Sequence, residues 1–128
     1  MTAIRFVAHL HLLSAGWKAG PPPPADLYLD CRILPNPAHQ PKLGGASGDH
    51  PSVQNWMRGS ASKFISSFRQ EIIDGLDQVP GRRNGKDDPW AAPYRIAFVC
   101  AHGIHRSKAM KHIIADLLKE EGWVVSIE

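Results

Sequence analysis

The sequence predicts an α/β fold: a single domain over residues 1–128, with a central, mostly parallel sheet, flanking helices, and a phosphate-binding loop between a strand and a helix at residues 100–107. Three observations carry this. Residues 4–13 alternate with period two, placing Ile4, Phe6, Ala8, Leu10 and Leu12 on one face, as a half-buried strand does. Residues 60–79 repeat Phe64, Phe68, Ile72 and Leu76 every four positions, the apolar stripe of a helix. Residues 94–127 read strand, loop, helix, strand, a βαβ unit whose strands run parallel with a right-handed crossover. A length of 128 residues accommodates one such domain.

Taken in order, the first strand gives way at residue 14 to a glycine-flanked loop, Ser14-Ala15-Gly16-Trp17-Lys18-Ala19-Gly20. Pro21 to Pro24 then form a stiff connector. Residues 25–32 alternate again, with Leu27, Leu29 and Cys31 on one face and Tyr28, Asp30 and Arg32 on the other. Pro35 and Pro37 end that strand, because proline donates no ladder hydrogen bond. Residues 38–50 are loop, and a short helix begins around Pro51, with proline in its first turn. The helix over 60–79 is expected to take its cap from Ser60 or Ser62 and to stop at Pro80-Gly81. Residues 80–93 form a charged surface loop with Arg82, Arg83 and Lys86. The run Ile96-Ala97-Phe98-Val99 is apolar throughout, as in a central strand covered on both sides. The last helix carries Met110, Ile113, Ile114, Leu117 and Leu118, Gly122 stands at its C-terminal cap, and residues 123–127 close the sheet.

Composition narrows the function classes. Hydrophobic residues at 43% and charged residues at 21% exclude a disordered tail, and no run reaches the ~20 apolar residues of a membrane span. The apolar stretch over 6–13 is broken by His9 and His11 and lacks a small-residue cleavage site, so no signal peptide is expected. Two cysteines make no disulfide framework, and a cytoplasmic location follows as the expectation. A net charge of +3 permits an anionic ligand or RNA without requiring either. A homo-oligomer is compatible with this reading, and no cofactor is expected.

The chemistry concentrates between Cys100 and Ser107. A loop that leaves a buried strand and opens a helix presents unpaired N–H groups and roughly half a positive charge. Gly103 permits close backbone approach, Arg106 offers a planar fork to two phosphate oxygens, and Ser107 adds a hydroxyl. Cys100 at the base of the loop is expected to be shifted toward thiolate. The phosphate-binding set is therefore Cys100, His102, Gly103, Ile104, His105, Arg106 and Ser107. The spacing Cys-x-x-Gly-x-x-Arg-Ser is similar to the loop of cysteine-dependent phosphatases, which leaves open an enzyme using Cys100 and Arg106. That family usually has histidine where Val99 stands, and the general acid would have to come from Asp87 or Asp88. Cys100, His102 and His105 with Cys31 match no compact zinc spacing, so no metal site is expected.

Two further motifs point to a narrower family. Asp30-Cys31-Arg32-Ile33-Leu34-Pro35-Asn36-Pro37 resembles the Asp-x-Arg-Phe-Leu-Pro-Asn-Pro signature of the C-terminal domain of RapZ, the RNase adaptor protein. Residues 100–107 resemble its Cys-Thr-Gly-Gly-x-His-Arg-Ser loop, and residues 16–20 its Gly-Phe-Lys-x-Gly turn. The resemblance implies a sensor and adaptor that binds a phosphorylated amino sugar, glucosamine 6-phosphate, and structured regulatory RNA. It implies that Lys18, Asp30, Arg32 and Asn36 line the pocket beside the phosphate loop. Ala101, His102, Ala38, Gly44 and His50 depart from the family pattern, and the Gly-x-x-x-x-Gly-Lys-[Ser/Thr] nucleotide loop of the family's other domain is absent. Lys108 and Lys111, one turn apart on the last helix, are the candidate RNA contacts.

Overall fold

The computed structural model describes residues 9–78 and 93–128. Four parallel strands form one sheet: β1 (His9–Gly16), β2 (Leu27–Asp30), β3 (Tyr94–Cys100) and β4 (Val124–Ile127), in the order β2-β3-β1-β4. Among the described residues the α-helices are α1 (Pro51–Ser60), α2 (Ser62–Asp77) and α3 (Arg106–Glu120), with short 3-10 turns in the loops. The three helices pack on one sheet face, where Leu10, Leu12, Ile96 and Phe98 meet Met57, Ile72, Met110 and Ile114. Leu13, Ala97 and Val99 point to the other face, where Ala25 packs on them.

This arrangement follows from the handedness of parallel connections. The helical connections β2 to β3 and β3 to β4 both advance in one direction along the sheet and share a face. The step from β1 back to β2 runs the opposite way, so keeping the same hand sends it across the opposite face. The connector that ends in Ala25 does so, and Asp26 N–H donates to the Arg95 carbonyl at 2.9 Å as it enters β2. The βαβ unit over 94–127 has parallel strands as expected, with β1 inserted between its two members.

Element boundaries differ from the sequence reading at three places. First, β1 extends through Ser14 and Ala15 to Gly16, which pairs with Cys100, so residues 14–16 are strand and not loop. Second, β2 stops at Asp30, because the Asp30 carboxylate accepts the Arg32 N–H and turns the chain into a 3-10 turn over Cys31–Ile33. Third, the expected helix over 60–79 is two helices joined at Ala61, which is fully buried. Neither serine caps α2: Ser60 Oγ bonds the Trp56 carbonyl inside α1, and Ala61 occupies the cap position. Helix α1 starts at Pro51, with the Ser52 N–H donating to His50 Nδ1 as its cap. Gly122, at φ 95°, closes α3 as predicted, with Trp123 N–H bonding back to the Leu118 carbonyl. The beginning of the first strand and the charged loop with Arg82, Arg83, Lys86, Asp87 and Asp88 lie outside the described residues.

Candidate anion-binding site

Three carboxyl strand ends meet on one side of the sheet, the place where open α/β folds hold ligands. They are the end of β1 at Gly16, the turn after β2 at residues 31–34, and the loop from β3 into α3 at residues 100–106. The β1 end and the loop are fitted together without side chains. A Cβ on Gly16 would lie 2.6 Å from the Gly103 nitrogen, and a Cβ on Gly103 would lie 2.7 Å from the Gly16 nitrogen. Gly103 also has φ 72°, which glycine adopts without strain. Lys18 N–H then bonds the Ala101 carbonyl at 2.9 Å.

The loop wraps the Cys100 sulfur. Gly103 N–H donates to Sγ at 3.2 Å, and Ser107 Oγ, fully buried, lies 3.1 Å from it. Burial raises the thiol's pKa. The Ser107 hydroxyl and the Ser107, Gly103 and His102 amides outweigh that and leave it below the ordinary cysteine value. Cys31, buried on the neighbouring strand end, is pushed up by burial and by Cys100. The two thiols thus shift in opposite directions, Cys31 up and Cys100 down.

Arg106, the first residue of α3, reaches across the site. Its Nη1 donates to the Arg32 carbonyl at 2.9 Å and contacts the Leu34 carbonyl at 3.5 Å. Among the described residues its Nε and Nη2 have no protein partner, which leaves the bidentate edge of the guanidinium to an anion. The opposite side of the loop rests on residues 48–49. Gly48 N–H bonds the Ile104 carbonyl at 2.8 Å, and Asp49 holds His112 Nε2 at 2.8 Å and Lys108 Nζ at 3.4 Å.

The pocket residues are brought to this side, but with altered roles. Asp30 and Arg32 form a bidentate pair at 2.9 and 2.8 Å, so each neutralises the other. The Arg32 hydrogen bond holds the Asp30 carboxyl below its usual range. Asn36 Oδ1 accepts the Ala38 N–H and caps a 3-10 turn. Lys18 is exposed beside the loop, and His102 and His105 belong to the loop itself. Lys108 and Lys111 do not form a common basic stripe. Lys111 is only 5% exposed, its ammonium donating to the Glu128 carbonyl at 2.9 Å and Ser14 Oγ at 3.3 Å. Sequence reasoning missed Asp49 and the Trp17–Arg32 contact. Gly16 was visible as a turn residue, but its packing partner, Gly103, lies 87 positions away in the chain.

A family model of the RapZ C-terminal domain matches residues 8–128, which includes every strand end and loop of this site. The chain belongs to the RapZ C-terminal domain family. It is 34% identical over 120 residues to a nucleotide-binding protein of Limosilactobacillus reuteri, covering 92% of this chain and 39% of the relative. It is 35% identical over 119 residues to one from Desulforamulus reducens, covering 91% and 37%. A relative from Roseobacter denitrificans is 36% identical over 115 residues, covering 89% and 37%. The chain therefore spans under two fifths of the length of these relatives. Among the described residues of this RapZ-type domain, no group of three or more His, Cys, Asp or Glu side chains is placed to hold a metal, and no helix is long and apolar enough to cross a membrane. A groove of about 570 Å³ lined by Arg58, Ile65, Ile113 and Asp116 sits farther along α3 than the loop, its Arg58 and Asp116 paired with each other.

The charge pairs set the response to acid. Asp30 is held low by the Arg32 hydrogen bond, Asp49 by His112, and Glu121 by Arg69. A depressed carboxylate stabilises the fold fully above its unfolded value, about 4, and that contribution disappears as pH falls through the folded value. The urea midpoint is therefore expected to hold steady from pH 7 to 5 and to fall below about pH 4. Glu121→Gln is expected to lessen the fall, and a wild-type midpoint that stays level to pH 2.5 would contradict the assignment.

Proposed function

We propose that the chain is a binding domain that holds the phosphate of a phosphorylated small molecule, of the amino-sugar phosphate class, in the loop from Cys100 to Ser107, and that it serves in the cytoplasm as an adaptor for structured RNA. One observation carries the phosphate assignment: the amides of His102, Gly103 and Ser107 converge on the Cys100 sulfur at the head of α3, where among the described residues Arg106 keeps Nε and Nη2 without a protein partner, in a chain of this family. Asp30, Arg32, Lys18 and Asn36 stand where the body of the ligand extends. The Asp30–Arg32 pair offers oxygen and guanidinium faces to hydroxyl and ammonium groups, with little net charge. For RNA, Lys108 is the contact of choice on α3, since Lys111 is buried.

The test is a thermal unfolding series with glucosamine 6-phosphate. Saturation at a hundredfold excess over Kd stabilises the folded state by about 2.7 kcal/mol. No shift with this ester, with other sugar phosphates or with inorganic phosphate removes the proposal. RNA binding is read by a gel shift whose affinity falls steeply with salt.

A second reading, a cysteine-dependent phosphatase, is favoured by the lowered thiol pKa of Cys100. The general acid it needs, Asp87 or Asp88, lies outside the described residues. Turnover of an aryl phosphate that vanishes in Cys100→Ser would replace binding with hydrolysis.

A further inference from the structure

Three large apolar side chains stand exposed at the three strand ends around the loop: Trp17 after β1 at 47%, Ile33 after β2 at 57%, and Ile104 after β3 at 43%. Single exposed apolar residues need no explanation, but a group around one candidate site does. Trp17 is the most constrained of them. On one side of it, Gly16 is packed backbone to backbone against His102 and Gly103. On the other, Lys18 N–H bonds the Ala101 carbonyl. The Arg32 guanidinium lies 5.8 Å from the centre of the indole. Arg32 is itself fixed by both Asp30 oxygens, and its carbonyl receives Arg106. An aromatic side chain thus stands on a fixed stretch of backbone beside the loop amides, with about half of its area open to solvent.

We propose that Trp17 is a stacking wall that reads a ring on the phosphorylated ligand, selecting phosphomonoesters with a flat apolar face over acyclic ones. This rests on the phosphate assignment of the 100–107 loop. An indole matches two such faces, a nucleobase plane and the C–H face of a pyranose. Either binds with little loss of side-chain freedom, because tryptophan has only two rotatable bonds. The Arg32 charge near the indole keeps the wall in place and adds to its attraction for a π-system.

Titration calorimetry on the 128-residue chain tests this with four probes: inorganic phosphate, glycerol 3-phosphate, glucose 6-phosphate and uridine 5′-monophosphate. At least one ring ester is expected to bind about tenfold tighter than glycerol 3-phosphate, the effect of ~1.4 kcal/mol of stacking. Which ring ester prevails separates a base from a sugar as the stacked group. The ratio is expected to fall toward one in Trp17→Ala and in Trp17→Leu, which keeps apolar bulk without a π-face, and to recover in Trp17→Phe. An unchanged ratio in Trp17→Leu overturns the wall. So does a wild-type chain that binds inorganic phosphate without preferring a ring. Failure of the wild type to bind any of the four removes the phosphate site itself, and the wall with it.

Discussion

Arg106→Ala is expected to abolish the stabilisation of the chain by phosphate esters, a loss of the full ~2.7 kcal/mol that a hundredfold excess of ligand provides. The reason is geometric. Arg106 opens α3, its Nη1 is anchored on the Arg32 and Leu34 carbonyls, and among the described residues its Nε and Nη2, one planar edge, have no protein partner. A phosphate accepts two parallel hydrogen bonds from that edge, which a point charge cannot supply. Arg106→Lys is therefore expected to recover only part of the shift. Losing the anchor also weakens the contact between α3 and the β2 turn. The readout is accordingly the increment produced by ligand, measured by scanning fluorimetry at several ligand concentrations, and not the melting temperature of the free variant. A full ligand increment in Arg106→Ala would show that the anion sits elsewhere.

Gly16→Ala is expected to damage both the fold and the site. The new Cβ would lie 2.6 Å from both the Gly103 nitrogen and the His102 carbonyl oxygen, and the obstacle is backbone, which has no rotamer to yield. The loop must move away from β1, breaking the Lys18 to Ala101 hydrogen bond and turning the Gly103 amide from the Cys100 sulfur. Overpacking of this kind costs about 1–3 kcal/mol. The predicted signature is a fall in the urea midpoint together with loss of the ligand-induced shift. Gly59→Ala is the control, since a Cβ there meets nothing within 4 Å. Equal behaviour of the two variants in both measurements would refute the close-fit account.

The legible parts of this protein were the local ones. The strand–loop–helix signal over 94–120 is continuous in sequence: an apolar run, a glycine, then Arg106 and Ser107 where a helix opens. That Asp30 faces away from Leu29 on β2 was readable from period two, whereas Arg32 lies past the strand in the turn that follows it. Their mutual pairing was not readable, because it depends on the chain leaving strand geometry at Asp30, and that switch is made by a side chain capping its own backbone. The helix over 60–79 was read as one because an apolar repeat survives a break. What divides α1 from α2 is a buried alanine at a position where tertiary packing, not propensity, decides. Lys111 shows the same limit. Three residues from Lys108 it reads as a surface cation, yet its ammonium is held by Ser14 and Glu128, 97 and 17 positions away.

Periodicity, turn residues and the spacing over residues 94–127 were enough by themselves to determine the α/β class and the parallel βαβ unit, since each depends on neighbours within a few residues. Only the tertiary structure decided that β1 lies between β3 and β4, that Gly16 meets Gly103, that Arg106 bridges to the β2 turn, and that Lys111 is internal. Those are contacts between segments far apart in the chain. They are selected by the one sheet order and crossover hand that bury the apolar faces together, a condition on the whole molecule that local sequence does not carry.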